Sequence, residues 1–261
     1  MNPILIFLVI ALIVGVVTAG LKIQYDRFFA IILLVAMMKL SIVGAVNVFL
    51  WIVFLGSGYL LWQSRSKILE MPRQNLNKFL TLIPLLAFIG ALIGSILFNN
   101  VDYRVLIVTL GIIALVYGLR LIFIHFKPHE HEYKNEKPLY QKFCAIFGPV
   151  VSGFFTGFIG TTFKSIKIPF GVKVGKMNLS QTYLGNMITA FYASFFAIIL
   201  HVFYVRKGLS MTLQNAVLGV GLWVAIHIVY KITDKYFKNE WRKTFQIIIG
   251  AILVLVAFKF L

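Results

Sequence analysis

Gly153–Phe170, reading GFFTGFIGTTFKSIKIPF, gathers the groups in this chain best suited to holding a ligand. Three threonine hydroxyls (Thr156, Thr161, Thr162) and two ammonium groups (Lys164, Lys167) alternate with Gly153, Gly157 and Gly160, and Pro169 follows. Hydrogen-bond donors and cations, with no carboxylate among them, point to an anion. Proline suits the first turn of a helix, where its missing N–H costs nothing. Free N–H groups at such a start, beside two lysines, would attract negative charge. Blander readings fit the same residues. Small residues four apart let membrane helices pack closely, and lysines near a helix end reach for headgroups.

Few other residues offer chemistry. The run HEHE, His129–Glu132, has metal-ligand residue types but lies in a polar loop among other charges, as a solvated loop would. His201 and His227 fall in or near apolar spans and could relay protons or simply hydrogen-bond at helix ends. Asp26 is a candidate for proton coupling, with pairing to Lys22 or Arg27 as the plainer alternative. The lone cysteine, Cys144, excludes an intramolecular disulfide and a cysteine metal cluster. No nucleophile–base set, phosphate loop or metal-ligand spacing suggests an enzyme, a cofactor or a metal.

The elements that must position these groups are membrane helices. The chain has 261 residues, 60% apolar and only 13% charged, against about a quarter charged in soluble domains. Apolar runs long enough to cross a bilayer recur throughout. The +17 formal charge sits at the ends of those runs rather than on one basic face, which argues against a nucleic-acid partner. The N-terminal run, Pro3–Leu21, has no basic leader and no cleavage signal, and reads as a retained first helix.

The order of segments repeats. Pro3–Leu21, a short Phe28–Leu40, Ile42–Trp62, Phe79–Phe98 and Val105–Phe126 are followed by Phe143–Phe163, a short Ile166–Gly175, Leu179–Val205, Thr212–Ile232 and Thr244–Leu261. Identities survive in the same order. GVVTAG at Gly15–Gly20 matches GFFTGF through Gly15/Gly153 and Thr18/Thr156; KLSIVGAVN matches NLSQTYLGN through Leu40/Leu179, Ser41/Ser180 and Asn47/Asn186. The expected architecture is therefore an all-α polytopic membrane protein of two repeats, residues 1–126 and 143–261, joined by a cytoplasmic loop at 127–142. Each repeat has about five segments, the second one short or broken.

If both short segments cross, the second repeat is inverted, and Lys plus Arg divide 17 inside to 7 outside, leaving Arg120 within the membrane. If both are re-entrant, the division becomes 11 to 13, so the positive-inside rule prefers the inverted arrangement with both termini outside. Paired interruptions at corresponding positions are the best sequence pointer to a transporter binding site. Here they are Gly15–Arg27 and Gly153–Pro169. Lysine at the centre of a lipid-facing helix costs roughly 2.5–3.5 kcal/mol, so the lysines around the second break belong at an interface or along a watery cavity.

At these residues the chain resembles the TauE/SafE family of sulfite and sulfonate exporters. The family signature is similar to G-x-x-S/T-G-x-x-G-x-G-G-G followed by proline, and Gly153, Thr156, Gly157, Gly160 and Pro169 fall in register with it. A later element, A-x-G-T-S, resembles YLGN, with Gly185 matching and Asn186 at the threonine position. The glycine triplet is replaced by Thr162, Phe163 and Lys164, and the first repeat has largely lost the signature. The resemblance implies export of small sulfur-containing or organic anions across the plasma membrane.

The expectation is thus a secondary transporter of small anions working by alternating access. Its substrate site would draw on Thr156, Gly157, Gly160, Thr161, Thr162, Lys164, Lys167 and Asn186, with Thr18 and Asn47 from the first repeat. Asn47 and Asn186 also suit interhelical hydrogen bonding. A non-transporting assembly or sensory subunit is the alternative, and it places the lysines against headgroups with no polar cavity. Oligomeric state is open.

Overall fold

The structure is a computed structural model that describes residues 2–21, 29–70, 76–123, 138–164, 179–203 and 213–261. The described residues are helical almost throughout and contain no strand. In chain order they form α1 (Pro3–Leu21), α2 (Phe29–Ala36), α3 (Ile42–Gln63), α4 (Arg65–Leu69), α5 (Ile83–Asn100), α6 (Tyr103–Phe123), α7 (Pro138–Ile159), α8 (Leu179–Phe203), α9 (Leu213–Tyr236) and α10 (Asn239–Phe260). A π-helical turn, Lys78–Leu82, leads into α5.

Seven of these helices are long and apolar enough to cross a membrane, and a shorter apolar stretch, Phe143–Ile159, lies in α7. The protein is a multi-pass membrane protein. One face of α9 shows why: Val217, Val220, Val224, Ile228 and Ile232 are all exposed at helical spacing. In water such a stripe would be an association surface; against hydrocarbon it is an ordinary lipid contact. The short first-repeat segment is α2, whose eight residues rise only about 12 Å. Its counterpart, Ile166–Gly175, lies outside the described residues. Ser41 accepts a hydrogen bond from the Gly44 N–H (3.1 Å) and so caps the start of α3.

The helices gather into two compact units that do not coincide with the sequence halves. One takes Met1–Ile52, Asn100–His125 and Met211–Leu261; the other takes Val53–Asn99 and Phe126–Ser210. In the first unit α1 packs on α9 and on α10, and α6 packs on α10. Gly118 and Gly250 permit the α6–α10 approach, since a Cβ on either would press on the other's carbonyl oxygen. In the second unit α5 crosses α7 on two glycine pairs, Gly90/Gly94 and Gly153/Gly157. A Cβ at any of the four would collide with the backbone of the facing helix (Val150 O, Phe154 O, Ala87 O and Ala91 O respectively). Small residues four apart on both helices bring the backbones together. The first segment of each half therefore packs on the fourth segment of the other half.

Candidate functional site

The second break begins where α7 stops. The apolar run suggests a helix to Phe163, but α7 ends four residues sooner, at Ile159. Gly160 turns the chain with φ 80°, a conformation that glycine adopts without steric cost. Residues Thr161–Phe163 are irregular. Phe163 is also left-handed, at φ 52°, where a bulky residue is strained, and its ring lies 4.2 Å from that of Phe155.

A helix end exposes carbonyls, which repel anions. Here several of those near the break are occupied by donors. The Gly160 N–H bonds to Thr156 O (2.9 Å). Ser152 Oγ donates to Thr162 O (2.8 Å). Thr156 Oγ1 lies 2.6 Å from Ser152 O and 3.3 Å from Thr161 O. His201, fully buried near the end of α8, meets Gly157 O through Nε2 at 2.9 Å. A carbonyl can only accept, so Nε2 carries the proton in this contact. The His201 ring also stacks on Phe98, with centroids 4.6 Å apart.

What remains around the break is rich in donors. Thr161 and Thr162 are buried, and the Thr162 hydroxyl has no hydrogen-bond partner. Lys164 is only 7% exposed. Its Nζ sits over the Tyr183 ring, 5.4 Å from the centroid, a cation–π contact worth up to about 2 kcal/mol when water is excluded. Tyr183 and Asn186 are one turn apart on α8, where the Asn186 amide donates to Thr182 O (2.8 Å). Ser95, on α5 beside Gly157, has a second buried hydroxyl without a partner.

Of the residues singled out from sequence, Thr156, Gly157, Gly160, Thr161, Thr162, Lys164 and Asn186 belong to one compact unit. Hydrogen bonds join Thr156 to Thr161, and Ser152 links Thr156 to Thr162. Thr18 and Asn47 are buried in the other unit. Thr18 Oγ1 donates to Val14 O at 2.6 Å, the same one-turn bond that Thr156 makes to Ser152 O. Lys167, Asp26 and the HEHE run lie outside the described residues. Among the described residues no group of His, Cys, Asp or Glu is placed to hold a metal.

Ser152, His201 and Tyr183 lie at the second break and Arg242 at the end of α1, placements that no sequence motif announces. Arg242, at the start of α10, donates to Ala19 O in the last turn of α1 and pairs with Asp234 at 3.2 Å. His227 stacks on Trp223 within α9.

The sequence model for the family described as "Sulfite exporter TauE/SafE" matches residues 28–260, nearly the whole chain. The chain belongs to the TauE/SafE family. It is therefore a multi-pass membrane protein of a transporter family, which implies a small substrate and a lipid environment. No curated protein and no solved structure matches the chain. Within the family signature, Phe163 occupies a glycine position and keeps a left-handed backbone that glycine would adopt freely.

Proposed function

We propose that the protein exports a small sulfur-containing anion, such as sulfite or an organosulfonate, across the plasma membrane by alternating access. The observation that carries this reading is the buried ammonium of Lys164 beside a helix end whose carbonyls are occupied by donors. A positive charge in a buried, water-poor break attracts an anion more strongly than the same charge at the surface. The Thr162 hydroxyl offers a hydrogen bond, and Thr156, Thr161, Gly157 and Gly160 shape the break. Asn186, one turn from Tyr183, extends the polar face of α8. Lys167 draws the anion in, Asp26 couples a proton, and Thr18 and Asn47 are the first repeat's counterparts of Thr156 and Asn186.

Two inverted repeats complete the proposal. The reciprocal pairing supports them: α1 with α9, and α7 with α5, exchange the same roles between the halves. Gly15 faces Val229 of α9 while its counterpart Gly153 faces Ala87 of α5. An odd number of crossings per repeat then places both termini outside, with residues 127–142 cytoplasmic. The snorkelling expected of a non-transporting subunit is not favoured by the burial of Lys164.

Flux of radiolabelled sulfite, thiosulfate, sulfoacetate and simple carboxylates in proteoliposomes tests this reading. Saturable movement of at least one sulfur anion is expected. Equal background leak for every anion contradicts it.

A further inference from the structure

In the register that aligns Gly15 with Gly153 and Thr18 with Thr156, Ala19 falls opposite Gly157. The carbonyls of these two residues are the ones gripped by distant side chains. Arg242 reaches Ala19 O from 223 residues away in sequence, and His201 reaches Gly157 O from 44 residues away. Neither donor stands at a position related to the other by the repeat, so the shared feature is the carbonyl that follows the threonine. Each lies in the last turn of its helix, where backbone N–H donors run out.

We infer that His201 and Arg242 are positioning residues, each holding the carbonyl after the shared threonine, and that His201 thereby fixes where α7 stops and where the polar segment beyond it lies. For His201 this means setting Thr161, Thr162 and Lys164, and the consequence for transport rests on the anion reading above. The two grips are built differently. Arg242 is anchored by Asp234, by the Phe237 carbonyl (3.4 Å) and by the Phe237 ring, 5.3 Å away. His201 is fully buried and its ring stacks on Phe98. An aromatic substitute at His201 keeps the stacking and removes the donor, which separates the two contributions.

The test uses the full chain with Cys144→Ala and Thr162→Cys, so that one buried thiol reports on the break. Its alkylation by N-ethylmaleimide is followed with His201, His201→Phe and His201→Gln, and sulfite flux is measured for the same His201 variants in the otherwise native chain. Glutamine places an amide N–H where Nε2 stood; phenylalanine has none. His201→Phe is expected to speed alkylation about tenfold, the opening expected for losing one buried hydrogen bond, and to raise KM for sulfite more than it lowers maximal flux. His201→Gln is expected to restore both. Equal alkylation in all three, or equal acceleration by Phe and Gln, overturns the inference. If His201→Phe fails to fold, His201→Asn replaces it: its shorter amide cannot reach, so equal protection by Asn and Gln overturns the inference and faster labelling of Asn supports it. Absence of sulfite flux in the parent sinks the anion reading and leaves the labelling result to decide the grip.

Discussion

The ends of α1 and α7 perform one operation with different materials. Both helices carry a glycine and, three residues on, a threonine whose hydroxyl bonds back one turn. Both then offer a carbonyl to a side chain from far away. Beyond that the ends diverge. Val14 stands where Ser152 stands, so the first break lacks the hydroxyl that ties Thr162 O. In the same register Asp26 stands where Lys164 stands, a reversal of charge between two related positions. The first end is secured by a fixed cation and its carboxylate, the second by a buried ring. The packing features are shared by both ends, whereas the Ser152 tie and the lysine belong to the second alone, where the anion is proposed to bind.

The largest effect should come from the shared glycines, and it should differ between them. A Cβ at Gly153 meets the Ala87 carbonyl, which belongs to a helix backbone and cannot turn aside. A Cβ at Gly15 meets mainly the Val229 side chain. Gly153→Ala is therefore expected to destabilise by about 3 kcal/mol and Gly15→Ala by about 1 kcal/mol, read as thermal unfolding in detergent. Equal losses would mean that the two crossings are equally tight.

The clasp on α1 comes next. Arg242→Met leaves Ala19 O and Asp234 without this donor and should cost about 2 kcal/mol in the same assay. Asp234→Ala should cost less, about 1 kcal/mol, because Arg242 keeps its bonds to the Ala19 and Phe237 carbonyls and the lost ion pair was partly exposed. If Asp234→Ala proved as damaging as Arg242→Met, the ion pair rather than the carbonyl would be what secures α1.

The smallest and most discriminating contrast lies in the threonines. Thr18→Val removes a hydroxyl that donates to Val14 O within its own helix, and about 0.5 kcal/mol is expected. Thr156→Val also deprives Thr161 O of its donor across the break, so about 1–2 kcal/mol is expected together with weaker sulfite flux. Identical behaviour of the two valine variants would show that the second break does not depend on this tie.

Much of this was visible in the chain itself. Hydropathy gave the helix order, and the Gly15/Gly153 and Thr18/Thr156 identities marked two ends that now make matching bonds. The stop at Ile159 was blurred because Thr161 and Phe163 are compatible with an apolar helix; only Gly160 hinted at the turn. The burial of Lys164 was not legible, since a lysine beside a span can equally reach a headgroup and only the placement of Tyr183 decides. His201 and Arg242 escaped for a different reason. Their acceptors are main-chain carbonyls, which no side-chain pattern announces, and they lie 44 and 223 residues away.

The most direct measurement is sulfite flux into proteoliposomes carrying the native protein, Lys164→Arg or Lys164→Met, at matched protein incorporation. A buried cation that meets the anion predicts saturable flux in the native protein, a partial loss with arginine and at least about a tenfold fall with methionine, the equivalent of one lost charge-assisted contact. Saturable flux that survives unchanged in Lys164→Met would contradict the assignment of the second break as the anion site.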